Sequence, residues 1–150
     1  LPDALTPRNG FRYARGGGRH FDSPAGIHAT NVIIPGDVPS QEDLIQQVQN
    51  GLYIGRIWYT YPVNGLRSAD FTCTVVGDSY IIRDGKIAEP IRPNIIRIND
   101  NIHNILSRIT GITQSAKPTL VWAADEIVYA PDIAVDGIKI QSIAEFMESI

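Results

Sequence analysis

An α+β fold, mainly antiparallel β-sheet with two or three short helices, is what this sequence predicts. Three observations lead there. Segments rich in β-branched and aromatic residues recur along the chain, each closed by Gly, Pro, Asn or Asp. Few segments take the i, i+3, i+4 apolar spacing of a helix. Strands and helices do not alternate in the β-helix-β order of a parallel sheet.

Composition bounds the rest. The 150 residues are 43% hydrophobic and 19% charged, with 13 Lys and Arg against 16 Asp and Glu for a net charge of −3. That is the length of one globular domain and no disordered composition. It lacks the basic face that phosphate neutralisation demands, so direct nucleic-acid binding is not expected. The longest apolar run, residues 120–124, is far short of the roughly 20 residues that span a bilayer, so no membrane segment is expected. One cysteine, Cys73, excludes an internal disulfide, and with no signal segment the expected setting is cytoplasmic. The first residue is Leu1 rather than Met, so the chain is expected to be a piece of a longer protein.

Taken in order, residues 1–29 hold Pro2, Pro7, Pro24 and the run Gly16, Gly17, Gly18, the punctuation of a flexible or irregular arm. Residues 30–150 are expected to form a single α+β domain. Residues 28–34 are β-branched and end at Pro35-Gly36, which predicts a strand. A helix follows, capped by Ser40, with Glu42 and Asp43 at its positive end, Leu44, Ile45 and Val48 on one face, and Gly51 as the stop. Residues 52–59 predict one strand, broken by Pro62 and the Asn64-Gly65 turn; residues 69–76 and 79–83 predict two more. Asp84-Gly85 tolerates the positive φ angles of a type I′ turn and joins residues 79–83 to Lys86, Ile87 and Ala88 as a hairpin.

Beyond Pro90 and Pro93, Ile102, Ile105, Leu106 and Ile109 take helical spacing, with Asn99 or Asp100 as cap and Gly111 beyond. Residues 119–124 and 126–129 again predict strand, and residues 133–135 pair with 138–140 across Asp136-Gly137. Ser142 and Glu145 stand at capping-box spacing before an apolar stripe of Ile143, Phe146, Met147 and Ile150, predicting a last short helix.

Catalytic patterns are absent from this string. No helix carries paired metal ligands at i and i+4, and no nucleophile, base and orienting acid are set at a recognisable spacing. His20 and His28 lie in or beside the Gly/Pro-rich arm and read as loop histidines ahead of ligands; His103 reads as the polar side of its helix. Cys73 alternates with Phe71 and Val75, so it reads as a small core residue. Arg15 to Arg19 lacks the Lys-Ser/Thr and preceding strand of a P-loop. Trp58, Tyr59 and Tyr61 form an aromatic cluster that packs on a sheet face or floors a peptide cleft. Asp70, Asp78 and Asp84 are spread over turns and strand ends.

The order of the local features carries a resemblance. Asn31, Val32, Ile33, Ile34, Pro35, Gly36, then residues 40–44, Gly51 to Ile54, Pro62, Val63, Asn64, Gly65, Ala69, Asp70, Phe71, and residues 80–87 with Pro90 resemble the C-terminal domain of the TldD/PmbA family. Residues 101–112 resemble that family's helix and its stop, and residues 130–140 its closing hairpin; the likeness spans about residues 27–140. Residues 142–150 look like an addition. The resemblance implies a cytoplasmic proteolytic system, first described as modulators of DNA gyrase, that trims peptides and degrades unfolded proteins.

In that family one chain carries an H-E-x-x-x-H helix and a cysteine ligand near its C-terminus. Neither motif is present here: the cysteine's place falls between Gly111 and Pro131, where the sequence has none. The chain therefore resembles the PmbA/TldE-type partner, with no metal site of its own and zinc expected in the catalytic parent or partner subunit. The implied partners are a TldD/PmbA-like subunit, as a homo- or heterodimer, and a peptide or unfolded-protein substrate. His20, His28, Asn31, Trp58, Tyr61 and Asn64 are the residues expected to lie nearest substrate or partner. The competing reading is an interaction or regulatory module that keeps only the fold; an independent small enzyme using His20 and His28 ranks last.

Overall fold

The structure is a computed structural model, and it describes residues 32–119, 121 and 127–144. Two compact units are distinguished along the chain. One comprises residues 1–34 and 116–130, and the other residues 35–115 and 131–150. The predicted arm, the strand up to Asn31 and the end of the predicted C-terminal helix lie outside the described residues.

Helix α1 (Gln41–Val48) starts where Ser40 makes it start. Its hydroxyl accepts the Asp43 N–H at 3.1 Å and donates to the Asp43 carboxylate at 2.6 Å, which satisfies an otherwise orphan first-turn donor. Leu44 is its buried side chain, with Ile45 and Val48 half-buried beside it. The helix ends two residues before the expected Gly51: Gln49 takes φ 60°, its carbonyl accepts from Gly85 N–H at 2.8 Å, and Gly51 already begins a strand.

The predicted single strand over residues 52–59 is two strands in two sheets. β1 (Gly51–Tyr53) and β2 (Arg56–Pro62) part at Gly55, where a Cβ would stand 2.0 Å from the Asp78 carbonyl oxygen. Only glycine permits that crossing. β3 (Asp70–Gly77), β4 (Tyr80–Arg83) and β5 (Lys86–Pro90) follow. β4 and β5 form the expected hairpin, Arg83 facing Lys86, with Asp84 and Gly85 at φ 49° and 70°. β1, β4 and β5 make an antiparallel three-stranded sheet in the order β1-β4-β5.

β6 (Ile96–Asn101) takes in the expected caps Asn99 and Asp100: Ile96 and Ile98 alternate with polar residues at period two and the strand pairs with β3, Cys73 facing Ile98. Asn101, one residue after the predicted caps, caps α2 (Ile102–Ser107) by accepting the His103 N–H at 2.9 Å. Ile109 leaves the helix and opens β7 (Ile109–Thr119), which forms a two-stranded sheet with β8 (Val128–Val135). Residues 32–34, expected as strand, carry no strand pairing and are exposed.

The predicted hairpin across Asp136-Gly137 does not form. β9 (Ile140–Ser142) pairs with β6 instead, Ile140 facing Ile98, and Ser142 is the last residue of that strand, directly before helical residues 143–144. The cause is Asp100. Its buried carboxylate accepts the Lys139 N–H at 2.9 Å and both oxygens meet Arg108 at 3.2 Å, while Arg108 also donates to the Gly137 carbonyl. These bonds pull residues 137–139 to β6. The resulting sheet runs β2-β3-β6-β9, antiparallel throughout.

Two small cores result. Val38, Leu44 and Ala134 pack with Val48; Cys73, Val75 and Ile98 pack with Ile54, Phe71, Ile96 and Ile138. Gly36 and Gly111 allow the first to close: a Cβ at Gly36 would meet the Thr113 carbonyl oxygen at 2.1 Å, and one at Gly111 would meet Leu44 Cδ1 at 2.7 Å.

Candidate functional site

The four-stranded sheet has two unlike faces because its residues alternate. Phe71, Cys73 and Val75 of β3 enter the core, so Thr72 and Thr74 stand on the opposite face. Register puts Tyr61 opposite Thr72, Trp58 opposite Thr74, and Arg97 opposite Thr74 on the other side. A hydrogen-bonded chain crosses this face. Arg97 Nη2 donates to the Tyr61 hydroxyl at 3.1 Å, Arg97 Nε to Thr72 Oγ1 at 2.7 Å, Thr72 to Asn99 Oδ1 at 2.5 Å, and Asn99 Nδ2 to Gln141 Oε1 at 3.0 Å. The face is polar, ordered across four strands and edged by aromatic rings.

β2 is the edge of that sheet, and every one of its residues is exposed. Tyr59 takes φ 50° within a register irregularity between Trp58 and Tyr61, so two consecutive rings meet: Trp58 and Tyr59 lie 5.9 Å apart, edge to face at 79°. Trp58 and Tyr61 thus lie on one edge strand, each about half exposed. Beyond β2 the Asn64-Gly65 turn returns the chain to β3. Asn64 Nδ2 donates to one Asp70 oxygen at 3.2 Å and Asn101 Nδ2 to the other at 2.8 Å. Those two hydrogen bonds, Asn101 first, hold the Asp70 carboxyl below the ordinary carboxylate range.

Beside this turn lies an open groove of about 370 Å³, lined by Tyr61, Pro62, Leu66, Phe71, Ile102 and Ile105 among others. It is almost wholly apolar, and Leu66 and Ile102 are well exposed in it. Ile102 and Ile105 keep the helical spacing expected of them, and α2 buries none of its residues. The signal that marks the groove is Leu66, a lone large apolar residue directly after a turn pair.

Other sequence candidates fall elsewhere. His20, His28 and Asn31 lie outside the described residues. His103 is exposed on α2, away from any second histidine among the described residues. Cys73 is 1% exposed, and burial raises its thiol above the ordinary range, so it is a core residue and no thiolate nucleophile. Among the described residues no three of His, Cys, Asp and Glu come together. The donors described are scattered carboxylates, the exposed His103 and the buried thiol of Cys73.

Comparison with known proteins adds the family. A family model described as the PmbA/TldA metallopeptidase C-terminal domain matches residues 9–142. The fold is similar to that of TldE from Thermococcus kodakarensis, with a TM-score of 0.63 and 20% identity over 88% of this chain and 27% of that one. It is also similar to a candidate modulator of a DNA gyrase from Thermotoga maritima, with a TM-score of 0.53 and 20% identity over 72% of this chain and 23% of that one. The chain thus spans about a quarter of the length of these solved proteins. No curated protein matches it. With the antiparallel fold, the match over residues 9–142 shows that this chain belongs to the PmbA/TldD family and represents its C-terminal domain.

Proposed function

We propose that the chain is the scaffold and cleft-wall domain of a TldD/PmbA-like metallopeptidase system acting on peptides or unfolded proteins, of the PmbA/TldE type and without a metal site of its own. The observation that carries this reading is the family match over residues 9–142, on a domain whose outer strand β2 is exposed along its whole length. An edge strand presents main-chain donors and acceptors that an extended peptide can satisfy whatever its sequence, which suits a substrate defined by being unfolded. Trp58 and Tyr61 offer rigid rings to its side chains, and the groove at Leu66 and Phe71 offers an apolar seat.

Zinc, held by a TldD/PmbA-like catalytic subunit, supplies the activated water in this reading. The present chain binds and orients. Folded substrates are excluded because their strands are already paired. Titration of a reduced, unfolded casein peptide against the protein and its Trp58→Ala variant tests the assignment. The reading predicts saturable binding that weakens about tenfold in the variant, the cost of losing one aromatic anchor. Absent binding, or binding indifferent to Trp58→Ala, contradicts it and leaves an interaction module.

A further inference from the structure

We propose that Asn64-Gly65 is a site of spontaneous covalent modification that places a second carboxylate beside Asp70. The main-chain nitrogen of Gly65 attacks the Asn64 side-chain carbonyl carbon. A C–N bond forms, the bond to the side-chain nitrogen breaks, and that nitrogen leaves as ammonia with the Gly65 proton. Water then opens the cyclic imide. Cleavage at the side-chain carbonyl gives aspartate, and cleavage at the main-chain carbonyl gives isoaspartate; no oxidant or reductant is involved.

The geometry singles this pair out. Gly65 sits at φ +84° with nothing within 4 Å of where a Cβ would stand, so no neighbouring atom crowds the turn there. Among the described residues nothing accepts a hydrogen bond from its N–H. The turn is held from the other side, by Ser68, whose N–H and hydroxyl both donate to the Gly65 carbonyl, at 3.3 and 2.9 Å. Asn64 is exposed and keeps one side-chain contact, the 3.2 Å bond to Asp70.

Of the three Asn-Gly pairs in the sequence, Asn9-Gly10 lies outside the described residues and Asn50-Gly51 serves as internal reference. Gly51 opens β1 opposite Ile82, its Cβ direction is closed at 3.0 Å by Val48, and Asn50 Oδ1 accepts the Asp84 N–H at 3.4 Å. Reaction there requires the β1 ladder to open. The aspartate product replaces a donor to Asp70 with an anion, and the isoaspartate product also lengthens the main chain by one carbon, so either change falls on Asp70, which lines the groove, and on its bond to Asn101.

Incubation at mildly alkaline pH, followed by peptide mapping for ammonia loss and isoaspartate, tests this on the intact protein and on the same protein in urea. In urea Asn50 and Asn64, each read in its own peptide, should convert at similar rates. In the folded protein Asn64 should keep its rate while Asn50 slows about tenfold or more, because a loop opens at almost no cost and a paired strand does not. Folded protein in which Asn64 is slowed as much as Asn50 overturns the proposal.

Discussion

Asp100 shows how one side chain decides a strand pairing. Its carboxylate is removed from water, which opposes ionisation, but the Lys139 and Asn101 N–H groups and the Arg108 charge outweigh that and hold it below the ordinary carboxylate range. Asp100→Ala would leave Arg108 and two main-chain donors without their acceptor, at a cost of about 3 kcal/mol in urea unfolding. The pH dependence has a definite sign. A carboxyl whose folded value lies below its unfolded one contributes above the unfolded value, and that contribution is lost as pH falls through the folded value. Acid titration should therefore destabilise the wild type in the acidic range and leave the Asp100→Ala variant flatter there. At Asp70 the converse substitution is informative. Asn64→Asp removes a donor and adds a like charge, so the Asp70 carboxyl should titrate at higher pH in the variant, as read by carbon NMR.

At the scale of elements, α1 is joined to the first core through Leu44. Leu44→Ala should cost about 2–4 kcal/mol, read as a lowered urea midpoint with unchanged slope. Where sequence and structure agree, the cause is local: Ser40 caps α1, and Asp84-Gly85 makes its hairpin from two residues at positive φ. Where they part, the cause is distant in sequence. The break between β1 and β2 is dictated by the Asp78 carbonyl, 23 residues from Gly55, and the loss of the last hairpin by Asp100, which binds the Lys139 N–H. β6 was legible in its period-two isoleucines, but Asn99 and Asp100 carry the composition of a cap. Within the candidate site, Trp58, Tyr61 and Asn64 were legible as an aromatic run and a turn pair. Arg97 was not, because its place beside Tyr61 depends on a strand that pairs across β3.

At the scale of the whole molecule, the chain is an antiparallel C-terminal domain of the PmbA/TldD family, for which a role as binding wall is proposed. The fold match at 20% identity carries the architecture, and the proposed role draws on the family match and the exposed β2 edge. Among the described residues no helix is long and apolar enough to cross a membrane. The most direct test is metal content by elemental mass spectrometry, with casein cleavage, on the 150-residue chain and on an assembly containing a TldD-type subunit. Zinc and chelator-sensitive cleavage are expected in the assembly and neither in the isolated chain. Zinc bound stoichiometrically by the chain alone, or an assembly without metal or cleavage, would contradict it.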